Sequence, residues 1–247
     1  MRPPVSWALP LLLVSAGICP FPAAAFDHSA WDRLLAEHVK EGVVDYGGFT
    51  QDYQALQAYL KTLETVDLSA LEEKEKLALL LNAYNAHCIA GVVSQGSIES
   101  VQDVWFFFKR TKFVLAGEEH SLDSLEHQVI RKLGDPRVHF ALVCSAKSCP
   151  SLACQAYTGA TLDEALDRQG KAFLADPTKN RLDKESGTFH LSKIFQWFKE
   201  DFTQQAPSLL AYLPPFLSES DAAYLKENRG DTKVEYLDYD WSLNGHF

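Results

Sequence analysis

The sequence predicts an α+β fold in a single domain, helix-rich in its N-terminal half and holding a small, mostly antiparallel sheet. Three observations carry this. Apolar residues recur at helical spacing through the first half, for example Trp31, Leu34, Leu35 and Val39. A hairpin pattern over Arg181 to Leu191 around Gly187, with a further extended segment from Lys233 to Leu237, marks a small sheet in the second half. No repeat, low-complexity stretch or long linker divides the chain.

The first 25 residues have the pattern of a secretory signal. Arg2 supplies a positive charge, Trp7 to Ile18 a short apolar run interrupted by Pro10, and Ala23-Ala24-Ala25 a small-residue cleavage pattern. The expected mature start is Phe26, with one domain over 26–247 and an exported location, periplasmic or extracellular. Ser15-Ala-Gly-Ile-Cys19 departs from a lipidation box because Ile18 is bulky. No later segment is expected to span a bilayer.

Ser29 to Lys40 reads as an amphipathic helix, broken by Val43 to Gly48. Tyr53, Leu56, Leu60 and Leu63 mark a second helix. The third runs from about Leu71 to Val93, opened by Glu72, Glu73 and Glu75, which suit the positive end of a helix dipole. Leu77 to Leu81 is apolar all round, so this helix is predicted to be central and buried. Asn82 and Asn85 share one face of it. In a core they must either line a polar cavity or bind loop backbone, since an unpaired amide costs about 1–3 kcal/mol.

Trp105 to Phe108 and Lys112 to Leu115 read as a strand or a loop entering one, with a turn at Gly117. Ser121 is placed to cap a helix reaching Lys132. Val138 to Val143 reads as a short buried strand, with His139 on the face shared by Ala141 and Val143. Thr161 to Glu164 fits a capping box for a helix to about Leu174, closed by Asp176-Pro177. After the 181–191 hairpin come a helix over Ser192 to Phe202, a short helix between Pro207 and Pro214, a strand over Lys233 to Leu237, and an aromatic tail read as core packing.

The formal net charge is -10. That argues against nucleic acid and against an anionic lipid surface, both of which call for clustered cations. Of five cysteines, Cys19 falls in the signal segment and Cys88, Cys144, Cys149 and Cys154 remain. Export permits disulfides, and four cysteines allow three complete pairings.

Several segments together resemble the domain-of-unknown-function 547 family. They are Asn82-Ala-Tyr-Asn-Ala86, Ser121-Leu-Asp-Ser-Leu-Glu-His127 with Arg131, Asp135-Pro-Arg-Val-His139, Cys144 through Pro150, and Tyr239-Asp-Trp-Ser-Leu-Asn244. The resemblance extends over nearly the whole mature chain. Its members are exported bacterial proteins and domains of plant and animal proteins, some of the latter joined to a glutaredoxin-like domain. The resemblance points to Asn82, Tyr84, Asn85, Glu126, His127, Arg131, Asp135, Arg137, His139, Cys144, Cys149 and Pro150. Cys88 and Cys154 lie outside its pattern.

Two readings of Cys144 and Cys149 stay open. In one, a cysteine is a nucleophile for acyl transfer or hydrolysis, or a redox thiol. His127 or His139 then handles the proton, Arg131 or Arg137 adds field, and Asn82 or Asn85 orients the imidazole. In the other, a disulfide closes the short loop, worth about 2 kcal/mol in the chain-entropy model, and the domain binds or scaffolds. Tyr84 and Glu126 support either site. Glu126 and His127, adjacent on an α-helix and about 100° apart, each need a separate partner. The C-x4-C spacing differs from the C-x-x-C of thioredoxin-like enzymes. A thiol beside a buried helix, with His on a strand, is similar at fold level to papain- or transglutaminase-like proteins. Cys144, Cys149, His127 and His139 are suitable zinc ligand types, but their spacing matches no common motif. No metal or cofactor is expected, and the expected partner is a small-molecule or peptide ligand.

Overall fold

The computed structural model describes residues 25–247, so the signal-segment expectation falls almost wholly outside the described residues. The α+β expectation holds. The chain opens with α1 (Ser29–His38), the hairpin strands β1 (Val39–Lys40) and β2 (Val43–Asp45), then α2 (Tyr46–Gln51) and α3 (Tyr53–Leu63). Trp31, Leu34 and Leu35 of α1 are buried, as the spacing requires.

Helix α4 (Glu73–Ser94) is the centre of the first half. Leu77 to Ile98 carries no Asp, Glu, Lys or Arg. By length and composition alone α4 could therefore cross a membrane. Its apolar stretch is instead almost entirely covered by neighbouring protein. Ile89, Ala86 and Leu79 sit in one large core with Trp31, Phe49 and Leu56.

Next come α5 (Phe107–Arg110), β3 (Lys112–Leu115) and β4 (Glu118–Ser121). Ala116 and Gly117, both at positive φ, form the two-residue turn between these strands. Ser121 caps as expected, accepting from the Ser124 amide at 3.1 Å. It opens only one α-turn, α6 (Leu122–Ser124). Leu125–Ile130 then winds as a π-helix, whose widened turn closes with the Arg131 amide donating to the Glu126 carbonyl. A 3₁₀ turn over Arg131–Leu133 ends the segment at Gly134, at φ 79°.

The predicted strand over Val138 to Val143 does not form. Pro136–Phe140 is a 3₁₀-helix with Asp135 as its cap and Pro136 in its first turn. The Ala141 amide donates back to the Val138 carbonyl at 3.0 Å. The run is apolar because two cores flank it, not because a sheet pairs it. Val138 belongs to the first core. Phe140 belongs to a second one, built from phenylalanines such as Phe173, Phe189, Phe195 and Phe202.

Helix α7 (Leu162–Ala175) follows, ending at Asp176. The capping box expected at Thr161 is not made: the Thr161 side chain caps nothing and pairs with Thr158 Oγ1 at 2.9 Å. The hairpin β5 (Arg181–Asp183) and β6 (Thr188–Leu191) turns at Gly187. The predicted helix over 192–202 is two short ones, α8 (Ile194–Trp197) and α9 (Lys199–Gln204), broken at Phe198. After α10 (Leu209–Tyr212) comes α11 (Glu219–Asn228), which the sequence reading missed. The chain ends with β7 (Lys233–Tyr236) and β8 (Gly245–His246).

Among the described residues the strands form three small sheets, in the orders β1-β2-β8, β3-β4 and β5-β6-β7. Three pairings are antiparallel and two, β2 with β8 and β6 with β7, are parallel. Both parallel pairings return late chain to earlier elements. The β8 return carries the aromatic tail past the cysteine loop: the Lys147 amide donates to the Ser242 carbonyl at 2.8 Å, and Ser148 to Asp240 at 3.2 Å.

Candidate functional site

A cleft of about 180 Å³ opens where the π-helical turn, the cysteine loop, the break at Phe198 and the aromatic tail meet. Its floor holds Tyr84, Leu142, Cys144 and Cys149. Asp123, Glu126, His127 and His139 line the cleft as well. Trp197, Tyr239 and Trp241 pack on one another as an aromatic wall, and Phe108 and Phe198, the latter stacked on His139, also line the cleft.

The two asparagines of α4 fix this floor by gripping backbone. Asn85 Nδ2 donates to the Ala141 carbonyl at 2.9 Å, and its Oδ1 accepts from the Val143 amide at 2.9 Å. Asn82 grips Tyr157 in the same way, at 2.8 and 2.9 Å. These buried segments belong to no sheet, so side-chain amides supply the bonds a ladder would have given. Of the two roles the sequence leaves open for them, binding loop backbone is the one seen, and among the described residues neither asparagine hydrogen-bonds to a histidine.

Cys144 and Cys149 are joined by a disulfide. The Tyr239 hydroxyl lies 3.1 Å from Cys144 Sγ and 3.2 Å from Cys149 Sγ. A disulfide sulfur carries no proton, so the phenol donates. The Cys144 amide also donates to Cys149 Sγ, at 2.9 Å. No imidazole lies within hydrogen-bond distance of either sulfur among the described residues. The bonded pair thus sits in the cleft without the histidine that a cysteine nucleophile was expected to use. Cys88 is a separate buried thiol, 3.4 Å from Ser145 Oγ and pushed up to about 12 by burial, while Cys154 is exposed and free.

The histidines are committed elsewhere. His139, packed face to face on Phe198, has Nε2 2.7 Å from Asp201 Oδ2. Burial lowers its pKa despite the Asp201 charge, so the neutral ring donates through Nε2. Burial alone would raise the Asp201 carboxyl. Hydrogen bonds from His139 and Arg131 outweigh it and hold Asp201 well below the ordinary range. Arg131 clasps Asp201 with both ends of its fork, at 2.7 and 2.8 Å, and lies over the Phe198 ring. Its Nη1 also reaches His127 Nδ1 at 3.0 Å. Arg131 can only donate, so His127 Nδ1 accepts and Nε2 carries the proton of the neutral ring. Burial and the Arg131 charge both lower the His127 pKa. His127 therefore offers the cleft an N–H donor, not a lone pair.

Glu126 is reached by Tyr84, whose hydroxyl donates to Oε2 at 3.2 Å. The π-turn matters here. In an α-helix Glu126 and His127 would diverge more, whereas the wider turn lets both line one cleft. Burial pushes the Glu126 carboxyl up to about 7, against the pull of Tyr84 and Arg131. The Tyr84 hydroxyl is itself driven well above its ordinary value by burial, so it remains a donor.

This predicts a pH signature. In the unfolded chain the carboxyl ionises near 4.5, in the folded one near 7. Between those values the folded state holds the extra proton, so stability falls as pH rises through the window and levels off above 7. Glu126→Gln, neutral throughout, is expected to gain about 1–2 kcal/mol on the wild type between pH 5 and pH 8, after allowance for partial exposure. Urea midpoints at the two pH values read it. Equal differences at both would mean the carboxyl is not held up.

Arg137 lies outside the cleft. It binds Asp135, Asp163 and Asp167 at 2.7, 2.6 and 2.9 Å, tying the 3₁₀ segment to α7. Sequence reasoning missed Asp201, which anchors both His139 and Arg131. Tyr239 and Trp241 pack against the core as expected and line the cleft as well, and Trp197 and Phe198, read only as part of a helix, line it too. An acidic residue in a surface-patterned helix, four positions from an exposed Trp, carries no motif that would have marked it.

Residues 68–174 match the model of a family described as "Protein of unknown function, DUF547". The match holds the asparagines, Tyr84, Glu126, His127, Arg131, His139 and both bonded cysteines, but not the aromatic residues at 197, 198, 239 and 241. It is shorter than the near full-length resemblance expected. No curated protein and no solved structure matches the chain.

Proposed function

We propose, from the match of residues 68–174 to the DUF547 family model, that the cleft is a binding site for a small molecule or peptide segment. The occupant presents a flat apolar group to the aromatic wall and a hydrogen-bonding head to Glu126 and His127. The observation that carries this reading is that an aromatic cluster and two polar groups of fixed roles line the same cleft. Such sites are concave, mostly apolar and set by a few converging polar groups. Near pH 7 Glu126 changes from donor to acceptor, while His127 Nε2 stays a donor. The disulfide and Asn85 brace the floor.

The wall does not end at the cleft. Phe108 and Trp241 also border a neighbouring surface with Trp105, which is 70% exposed, and Phe106, 53% exposed. An extended ligand such as a peptide has apolar surface to follow there.

The test is direct because Trp197 and Trp241 report on the cleft. Titration with a panel of planar aromatic amides and short aromatic peptides is expected to quench tryptophan fluorescence saturably. Trp197→Ala and Glu126→Ala are expected to weaken binding at least tenfold, a loss of about 1.4 kcal/mol or more. No saturable binding, or binding indifferent to both substitutions, would overturn the reading.

A second reading is favoured by one observation: both sulfurs of the disulfide line the cleft. An external dithiol could reduce the bond, becoming a disulfide itself and leaving two thiols beside Glu126 and His127. Thiol-dependent acyl transfer or disulfide exchange would then be open to the domain. Iodoacetamide applied after mild reduction separates the readings. Alkylation faster than that of a free model thiol supports an activated cysteine, and slower alkylation leaves the disulfide as a brace.

A further inference from the structure

Glu75 lies in the first turn of α4 and is 8% exposed. Both its oxygens accept backbone N–H groups. Oε2 takes the Gly159 amide at 2.6 Å, and Oε1 takes the Phe26 amide at 3.0 Å. Gly159 approaches so closely that a Cβ there would fall 2.5 Å from Oε2 and 2.8 Å from the Glu75 backbone nitrogen. Among the described residues no Lys, Arg or His forms an ion pair with Glu75, and neighbouring Lys74 is engaged with Asp163. The carboxylate is thus held by two backbone donors and the positive end of α4, with no cation paired to it.

Phe26 is also the residue that the Ala23-Ala24-Ala25 pattern places just after a cleavage point. Ala25 is exposed, whereas Phe26 is half-buried against the main core with its ring 4.8 Å from that of His28. His28 is buried in turn, its Nδ1 2.8 Å from the Tyr59 hydroxyl. The boundary between exposed and seated chain coincides with the cleavage pattern.

We propose that the Ala25–Phe26 bond is cut by a peptidase selective for small residues, and that the new Phe26 α-ammonium seats on Glu75. Water adds across the peptide bond. The Ala25 carboxylate leaves with the leader, and the Phe26 nitrogen takes up protons to become the ammonium. The cation that Glu75 lacks is then supplied by processing itself. The titratable groups around the seat are Glu75, His28, Tyr59, Asp32 and, on the exposed side, Asp27. Burial pushes His28 down to about 4, so it stays neutral and does not compete for the carboxylate.

The test uses the full chain, expressed with its leader in a secreting host. N-terminal sequencing and intact mass are expected to show a chain beginning at Phe26. Acylation of its α-amine at pH 7 is expected to run at least fivefold slower than for a free α-amine, whose pKa is about 8. Glu75→Gln should restore the ordinary rate and lower the melting temperature of the processed chain by about 5 °C. Should that variant fail to fold, a processed chain with one extra alanine before Phe26 replaces it, with the same expected melting loss and restored acylation. A start at another residue, or an α-amine acylated at the free rate in the wild type, would overturn the proposal.

Discussion

Asn85→Ala is expected to destabilise the protein by about 3–4 kcal/mol, the largest loss of any substitution considered for the cleft. The side chain satisfies the Ala141 carbonyl and the Val143 amide, both in buried backbone. Each group left unpaired costs about 1–3 kcal/mol, and a small cavity is added. Asn82→Ala should cost a similar amount, since Asn82 grips Tyr157 with equal geometry. The two are separated by where the damage falls. Asn85 holds the segment entering Cys144, so its loss is also expected to speed reduction of the Cys144–Cys149 disulfide by a mild dithiol several-fold. Asn82→Ala leaves that rate near the wild-type value. Urea denaturation and a timed reduction assay measure both. A change in stability below about 0.5 kcal/mol for Asn85→Ala would show that the loop does not depend on this amide.

Asp201→Ala is expected to cost about 2–3 kcal/mol at pH 7. The carboxylate is the shared acceptor for Arg131 and His139, and its removal strands a guanidinium over Phe198 and an imidazole N–H in the core. Removing one member of a buried pair costs about 3–5 kcal/mol, and the partial exposure of Arg131 reduces that figure. The sign with pH follows from the lowered Asp201 value. A depressed carboxyl contributes stability above its ordinary pKa near 4, and that contribution is lost as pH falls through the folded-state value. The gap between wild type and Asp201→Ala should therefore be full at pH 6–7 and narrow steadily below pH 4. A gap that is constant from pH 7 to pH 3 would assign the loss to packing alone.

Much of the helical framework was legible because its residues keep one period. Trp31, Leu34 and Leu35, then Leu56 and Leu63, lie inward as the spacing demands. The 181–191 hairpin and the Ser121 cap were equally readable, since each depends on local chemistry. The segment 138–143 was not. A short apolar run fits a buried strand or any other fully buried segment, and only the partner surfaces decide. Here the partners are two cores, and Asp135 with Pro136 starts a 3₁₀ turn between them. The π-turn at Glu126 was beyond sequence reasoning as well, because propensity distinguishes helix from strand but not one helical winding from another. The candidate site was legible in its cysteines, histidines, Glu126 and Asn85, which carry recognisable chemistry. It was illegible in Asp201, Trp197 and the tail, which reach the cleft only through long-range chain return.

The segment from Pro136 to Phe140 has a mechanical consequence. Val138 is anchored in one apolar mass and Phe140 in the other, with His139 between them. Arg131 and Asp201 clasp across the same joint. A guest lodged in the cleft touches residues from both masses at once, so it acts as a dowel between them. Helix α7 already bridges the two masses, with Leu162 and Leu166 in one and Phe173 and Leu174 in the other, so occupancy would add a second tie beside it.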